Sequence, residues 1–296
     1  METFFFKLFL ICWFIERNNA LKSSNSNLLP MYYISGGNRE PSTFKLVSYI
    51  VSIRSRNPQR YFGDNHFCAG TIISKTAVLT SAHCVMDKRR VLTRARRLLL
   101  VAGTPNRLVP IATTIQFPAK SVTANTNYIR NNKDDIAIIH LKGEIPEDNE
   151  NIQIIKMPTG PPVYNTSCII IGWGRMIVKG PLAVLPLHVN VRLYEPSECK
   201  YFLGEHYHEG TLCAGDSLNY DEDPCRGDSG GPLICNNELT GVISWTIGCG
   251  SNRVPSLYTD VWYNREWIEK HLNAGFRVSV INKLVISFSF IVIFSI

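Results

Sequence analysis

Short β-forming runs recur along most of this chain, and their spacing limits the fold more than any other feature. Each run is rich in Val, Ile, Thr and aromatic residues, and Gly, Pro, Asn or Asp separates it from the next. The clearest runs are Leu46–Ile53, Thr71–Leu79, Leu98–Val101, Ile136–Leu141, Cys168–Ile171, Val189–Leu193 and Gly241–Trp245. Regularly spaced short strands with little helix predict an all-β barrel or sandwich. One helix is predicted at residues 261–272, with Asp260 as its cap.

The two ends of the chain differ in character from the part between them. An apolar run at residues 4–15 predicts a secretory signal over residues 1–20, followed by a short propeptide at residues 21–33. A second apolar run begins at Leu284 and closes a tail over residues 273–296. Small residues, a short spacer and an apolar end resemble a GPI-attachment signal; simple secretion and a direct membrane tail are the alternatives. We therefore expect a secreted, extracellular protein, with membrane attachment through the tail left open.

Cysteine usage agrees with an extracellular chain. Of the nine cysteines, Cys12 lies in the signal-like run, and the remaining eight predict a disulfide framework. Spacing alone does not choose among the ~105 pairings that eight cysteines allow. Metal binding is the alternative, but no C-x-x-C pair is present to start a zinc site. The sequon that begins at Asn165 predicts a glycosylated surface turn in the same compartment.

The formal net charge is +7, and much of the excess lies in the segment KRRVLTRARR at residues 88–97. Such a run predicts a solvated surface loop, with a dedicated anion-binding patch as the alternative. No phosphate-cradling glycine loop, dinucleotide fingerprint or zinc-ribbon spacing occurs. We therefore expect no cofactor, no metal and no nucleic-acid partner.

Three segments carry the residue types of nucleophilic catalysis. Ser229 is flanked by glycines in GDSGGP, which allows a sharp turn, close approach of a substrate and free backbone donors. His83, in LTSAHC, follows an apolar run and adjoins a cysteine that would hold its loop rigid. Asp134 and Asp135 open the apolar run of DDIAII. Taken singly, each segment has a structural interpretation: a turn, a structural histidine or a strand-end cap.

Together and in this order, TSAHC, DDIAII and GDSGGP resemble the signature segments of the trypsin/chymotrypsin family, and the resemblance covers residues 34–272. It implies a serine protease domain built from two packed, antiparallel, six-stranded β-barrels with a C-terminal helix. Ser229 would be the nucleophile, His83 the general base, and Asp135 the acid that orients the base. The backbone amides of Gly227 and Ser229 would form the oxyanion hole. Protein or peptide substrates and serpin-type inhibitors are the implied partners; the alternative is a catalytically silent homologue that acts as a cofactor or decoy.

The resemblance also accounts for every cysteine outside the signal-like run. The disulfides it implies are Cys68–Cys84, Cys168–Cys235, Cys199–Cys213 and Cys225–Cys249. The acidic calcium loop common in trypsins is missing from the sequence, because residues 94–118 contain no Asp or Glu. We expect no calcium site there.

A substrate pocket follows from the same resemblance. Asp223 stands where trypsin-like members have the carboxylate that selects Arg or Lys. The other residues expected to line the pocket are Ser244, Trp245, Thr246 and Ser256. Thr246 and Ser256 replace the glycines of open pockets, so their side chains narrow the walls. We expect cleavage after Arg or Lys.

The start of the domain resembles the family's mature N-terminus, with ISGG beginning at Ile34. In the family the freed amine of that isoleucine pairs with the acid beside the nucleophile, which is Asp228 here. Tyr33 precedes Ile34, and residues 23–33 contain no Lys or Arg. A trypsin-like activator has no bond to cut at this point, so we expect a chymotrypsin-like activator or another route of activation.

Overall fold

The computed structural model describes residues 41–130, 133–147, 149–177, 179–216, 223–246 and 254–272. The predicted signal and propeptide, Ile34, Cys249 and the apolar tail lie outside these ranges. Within them, twelve strands close into two antiparallel barrels of six strands each. The predicted all-β fold is confirmed.

The first barrel comprises the strands of the N-terminal half. They are β1 (Ile50–Ser55), β2 (His66–Ser74), β3 (Ala77–Thr80), β4 (Leu98–Ala102), β5 (Ile115–Ala124) and β6 (Ala137–Leu141). Their order around the barrel is β1-β2-β3-β6-β5-β4, and β4 pairs with β1 to close it. Aliphatic side chains such as Ile53, Leu100 and Ile139 fill the interior.

The second barrel repeats this arrangement. Its strands are β7 (Ser167–Gly172), β8 (Leu187–Leu193), β9 (Thr211–Gly215), β10 (Pro232–Cys235), β11 (Glu238–Trp245) and β12 (Ser256–Asp260). They follow the order β10-β11-β12-β9-β8-β7, and β10 pairs with β7 to close the barrel. Val189, Leu212 and Tyr258 are among the buried interior residues.

A further cluster of buried side chains lies between the barrels. It joins Leu79 and Ile138 of the first barrel to Ile234 and Val242 of the second. Strand β6 therefore buries both faces, because Ile138 packs in this cluster while its neighbour Ile139 packs inside the first barrel. Burial of both faces explains why residues 136–139 (IAII) are continuously apolar and do not alternate with polar residues.

Helices are short, and the sequence predicted only the last of them. Helix α1 (Pro41–Val47) precedes β1, so the strand begins at Ile50 and not at the predicted Leu46. The apolar side chains of this stretch pack from a helix instead, with Val47 against Trp173 of the second barrel. Helix α2 (Ala82–Val85) carries His83.

The remaining helices lie in the C-terminal half. Helix α3 (Pro196–Leu203) was not predicted, although it begins with a proline and a capping box between Glu195 and Glu198, both of which favour the start of a helix. The last helix, α4, spans residues 265–272, because the Asp260 carboxylate first caps a turn by accepting the Tyr263 N–H at 3.1 Å. None of the helices in the described part of the chain is long and apolar enough to cross a membrane.

Disulfides tie the loops to the barrels. The described residues contain the pairs Cys68–Cys84, Cys168–Cys235 and Cys199–Cys213. Cys225 is also disulfide-bonded, and the partner that the resemblance implies, Cys249, lies outside the described residues. The first pair fastens α2 to β2, which holds the loop of His83 against its barrel.

Candidate active site

The side chains of His83 and Asp135 meet at the ends of two paired strands. Thr80 of β3 lies opposite Ala137 of β6, so the residues just after β3 are next to those just before β6. His83 Nδ1 lies 2.7 Å from Asp135 Oδ2, and the His83 backbone N–H donates to Asp135 Oδ1 at 2.9 Å. Two hydrogen bonds to one residue fix both carboxylate oxygens and the plane of the imidazole.

Asp134, the neighbouring acid, shapes the chain at this point. Its backbone is left-handed, with φ at 56°, a conformation that Asp adopts more readily than branched residues. Its carbonyl accepts the Ile136 N–H at 2.9 Å. The resulting tight turn points the Asp135 carboxylate at His83, while the Asp134 side chain takes no part in that contact.

Two side chains of the second barrel also hold Asp135. Ser244 Oγ donates to Asp135 Oδ2 at 2.6 Å, and Thr259 Oγ1 donates to the Asp135 carbonyl at 2.9 Å. Ser244 was expected to line the substrate pocket, and the structure places its hydroxyl on the acid. Thr259 was missed, because a threonine within a strand is too common to indicate a site.

Burial and mutual charge set the protonation of this pair. Burial raises the pKa of Asp135, but the charge of His83 and the hydrogen bonds from His83 and Ser244 outweigh it, so the pKa is lowered. Burial lowers the pKa of His83, but the charge and hydrogen bond of Asp135 outweigh it and raise the pKa above 6.5. The result is an anion that holds an imidazole of increased basicity.

Ser229 lies on a tight turn that two glycines make possible. Gly227 and Gly230 have φ values of 112° and 82°. A Cβ on Gly230 would lie 2.1 Å from Thr80 Oγ1, so only glycine lets the turn come this close to the first barrel. The Ser229 carbonyl accepts the Ala69 N–H of β2 at 2.9 Å. The serine is therefore fixed at the junction of the two barrels.

Ser229 and His83 both contact the Cys68–Cys84 disulfide. Cys84 Sγ lies 3.5 Å from the Ser229 carbonyl oxygen and 3.8 Å from His83 Nε2. Ser229 Oγ and His83 Nε2, both in the described part of the chain, form no hydrogen bond here; such bonds often tighten only with substrate. The ligand atoms of Cys68, His83 and Cys84 lie within 4.8 Å of one another, but two sulfurs bonded to each other offer no thiolate to a metal.

A buried hydrogen-bond network includes the carbonyl of Gly227. His66 Nε2 lies 3.1 Å from Gly227 O, and His66 Nδ1 lies 2.8 Å from Ser52 Oγ. Arg54 Nε donates to the same Ser52 oxygen at 2.8 Å, which directs the hydroxyl proton toward His66 Nδ1. Burial, with the charges of Arg107 and Arg54, lowers the pKa of His66 to about 3, so the ring is neutral. The tautomer consistent with these contacts carries its proton on Nε2 and donates it to Gly227.

Two buried arginines extend this hydrogen-bond network. Arg54 is 1% exposed and Arg107 is 6% exposed. Arg54 Nη2 donates to the Arg107 carbonyl at 3.0 Å. Arg107 in turn donates from Nη1 to Gly63 O at 2.6 Å and from Nε to Ala183 O at 3.0 Å. Arg107 lies in segment 94–118, which contains no acidic residue. Its guanidinium connects the loops that contain Gly63 and Ala183.

Asp228 is buried beneath the Ser229 turn, with 1% exposure. Its Oδ1 accepts the Gly174 N–H at 2.7 Å, and its Oδ2 accepts the Cys225 N–H at 3.0 Å. A Cβ on Gly172 or Gly174 would lie 2.0 Å from a carboxylate oxygen, so these two glycines make the space. Burial raises the pKa of Asp228 to about 6, although both hydrogen bonds lower it.

Three of the predicted pocket residues are in contact. Asp223 is buried, Thr246 Oγ1 donates to its Oδ2 at 2.7 Å, and Ser256 Oγ donates to its Oδ1. Trp245 is half-buried, and its ring centre lies 5.1 Å from that of His206. The side chains of Thr246 and Ser256, which were expected to narrow the pocket, therefore place their hydroxyl groups on the Asp223 carboxylate.

Comparison with known proteins agrees with this geometry. A family model described as Trypsin matches residues 34–268. The chain is 32% identical over 260 residues to Trypsin zeta of Drosophila erecta, an alignment that covers 84% of this chain and 89% of that protein. It is 34% identical over 227 residues to snake venom serine protease catroxase-1 of Crotalus atrox, covering 73% and 82% of the two chains. Trypsin I-P1 of Gallus gallus is 30% identical over 235 residues, covering 78% and 90%. The chain belongs to the trypsin/chymotrypsin family of serine proteases.

Proposed function

We propose that the chain, once cleaved before Ile34, is a secreted serine endopeptidase with Ser229, His83 and Asp135 as its triad. The observation that carries this proposal is the pair of hydrogen bonds from His83 to Asp135, beside the glycine-flanked turn of Ser229. Family membership supports peptidase chemistry. The disulfides support secretion, because such bonds persist in oxidising compartments outside the cytosol.

In this mechanism Ser229 Oγ attacks the carbonyl carbon of the scissile peptide while His83 Nε2 takes the hydroxyl proton. Asp135 keeps the other imidazole proton on Nδ1 and stabilises the imidazolium that forms. His83 then protonates the leaving amine, the C–N bond breaks, and an acyl-enzyme on Ser229 remains. A water molecule, deprotonated by His83, attacks the ester, releases the carboxylic acid product and restores the serine hydroxyl.

The amide N–H groups of Gly227 and Ser229 would stabilise the oxyanion of the tetrahedral intermediate. The hydrogen bond from His66 to Gly227 O supports this role, because it fixes the peptide group that follows Gly227 in the turn between the two donors. Ser52 and Arg54 act through His66 and are positioning residues. Donors that are fixed before the reaction stabilise developing charge without reorganising.

Cleavage after Arg or Lys is the specificity we propose, since Asp223 is a buried acid among the predicted pocket residues. The cation of a substrate side chain would have to displace the Thr246 and Ser256 hydroxyls from the Asp223 carboxylate. Replacing the hydroxyl donors by a cation favours binding, because a hydrogen bond between two charged groups is stronger than one from a neutral donor. The side chains of Thr246 and Ser256 nevertheless take up room that a long substrate side chain needs.

A peptide library tests the proposed function and its specificity together. The cleaved chain is expected to cut after Arg and Lys, and Asp223→Asn to lower kcat/KM for such bonds by about 10²- to 10³-fold, because it leaves the substrate cation unpaired. The double variant Thr246→Gly with Ser256→Gly should raise kcat/KM for the same bonds. Thr246→Ser keeps the hydroxyl and serves as the control for the lost methyl group. Cuts only after small aliphatic or aromatic residues would contradict the assignment of Asp223.

We expect the protonation of Asp228 to give the uncleaved chain and the chain cleaved before Ile34 different pH dependences. In the uncleaved chain its pKa of about 6 exceeds the ordinary value of 3.8, so folding favours the protonated acid. Its contribution to stability is therefore complete below about pH 4 and is lost, to the extent of about 3 kcal/mol, as pH rises through 6. After cleavage we expect the Ile34 ammonium to pair with Asp228 and lower this pKa. Activity, which at acidic pH is limited by protonation of His83, should then also fall at alkaline pH, as an amine with a pKa of about 8, raised by pairing, deprotonates.

Urea unfolding of both forms from about pH 4.5 to pH 8 measures this difference, with Asp228→Asn as the variant that should remove the dependence. N-terminal sequencing of the active form is expected to begin at Ile34. An active form that begins elsewhere, or identical pH profiles for the two forms, would contradict the pairing.

A further inference from the structure

One side of the first barrel is covered by basic side chains that the proposed catalysis does not use. We call it the basic surface, and all of its members are exposed. They are Arg56, Lys88, Arg89, Arg90, Arg94, Arg96, Arg97 and Lys120. Most of them belong to the segment 88–97, which begins three residues after α2, the helix of His83.

Three of these cations belong to neighbouring segments of the first barrel. The Arg56 N–H donates to Arg97 O at 2.7 Å, one step beyond the last residue pair of β1 and β4. Arg97 ends a 3-10 turn (Ala95–Arg97) directly before β4, and this turn packs against β5, the strand that carries Lys120. All three side chains are exposed, so they lie on the outside of the barrel.

Neighbouring like charges repel one another, and no ion pair offsets this repulsion here. Among the described residues, none of the eight cations has an acidic partner within ion-pair distance. Asp87 is the only acid between residues 86 and 98. Its carboxylate accepts the backbone N–H groups of Arg89 and Val91 at 2.8 Å, so it shapes the turn instead of pairing with a side chain.

The turn that presents Lys88, Arg89 and Arg90 is well braced. Met86 and Leu92 form a bridge at its base. Arg90 takes a left-handed conformation, with φ at 62°, and its Nη2 donates to Thr126 O at 2.5 Å. An array of cations that is already held in place loses less conformational entropy when it binds a ligand.

We propose that the basic surface binds a sulfated polysaccharide. Six of its eight members are arginines, whose planar forks match the oxygens of sulfate as they match those of phosphate. The cations spread over a strand, a 3-10 turn and a loop, which suits a linear ligand with repeated charges. Segment 88–97 has no aromatic side chain on which nucleic-acid bases would stack. The disulfides indicate an extracellular chain, and sulfated polysaccharides are linear polyanions of that compartment.

The test does not depend on peptidase activity, because it uses the full chain with Ser229→Ala. Titration calorimetry with a size-defined heparin oligosaccharide at several NaCl concentrations is expected to show binding that weakens as salt rises. The triple variant Arg94→Gln, Arg96→Gln, Arg97→Gln should lower the affinity by about tenfold or more at about 0.15 M NaCl. The slope of log K against log [NaCl] should fall in magnitude by about 2 to 3.

A matched control separates a specific surface from net charge. Lys179→Gln, Lys200→Gln and Lys270→Gln together remove the same charge from exposed positions outside the first barrel and should change the affinity by less than about twofold. Equal losses in both triple variants would overturn the proposal. So would equal affinity for de-sulfated heparin, for polyglutamate or for a DNA strand of equal charge, and so would absence of binding at about 0.15 M NaCl.

Discussion

Replacement of Ser229 by alanine is expected to lower kcat of the cleaved chain by about 10⁶-fold. The variant keeps the turn, since both glycines and the Ser229 carbonyl contact to Ala69 involve the backbone. It removes the one oxygen that would form the acyl-enzyme. Initial rates with an Arg-containing peptide measure the loss, and near-ultraviolet circular dichroism should show an unchanged fold.

The histidine variant is the control for this result. His83→Ala should lose a comparable factor, and the double variant should lose little more, because a nucleophile and its base act as a unit. Losses that multiply in the double variant would mean that Ser229 and His83 contribute independently. Turnover by folded Ser229→Ala at the rate of the parent chain would contradict the assignment outright.

The second large effect is expected from Asp135→Asn, with a fall in kcat of about 10⁴-fold at neutral pH. Asp135 Oδ2 accepts hydrogen bonds from both His83 Nδ1 and Ser244 Oγ. An amide nitrogen at this place cannot accept them, and an amide oxygen carries no charge to stabilise the imidazolium. Ser244→Ala is the matched variant, because it removes one donor but leaves the anion, and its effect on kcat should be far smaller.

The pH profile distinguishes this role from a structural one. The charge of Asp135 and its hydrogen bond raise the pKa of His83 against the effect of burial. Activity needs the neutral imidazole, so it rises with pH through that pKa, and Asp135→Asn should move the acidic limb to lower pH. If the variant lost activity through misfolding alone, the acidic limb of its remaining activity would stay at the same pH as in the parent chain.

The sequence predicted the barrels and the three candidate catalytic segments for different reasons. The barrels follow from local patterns, because each short run must bury at least one face, and β6 buries two. The candidate catalytic residues were predicted from the glycines and the cysteine that flank them. By contrast, the last two residues of α1, Leu46 and Val47, were predicted as the start of a strand. A short apolar run suits either element, and here the residues pack from a helix.

Contacts between distant residues were outside the reach of the sequence. Ser52, Arg54 and His66 are ordinary residues of short strands. The pairing of β1 with β2 brings them together, and the packing of the two barrels places them next to Gly227. Ser244 was predicted to line the pocket, yet its hydroxyl lies on Asp135. The residue types were identifiable, but their partners depend on register and on the packing of one barrel against the other.

A covalent fluorophosphonate probe tests the central claim, that cleavage before Ile34 yields an enzyme with an activated Ser229. The cleaved chain is predicted to form a single adduct, located by peptide mass spectrometry on the segment that contains Ser229. The uncleaved chain should react far more slowly, and Ser229→Ala should not react. Cleaved and folded material that forms no adduct, as a catalytically silent homologue would, or that is labelled at another residue, would contradict the account.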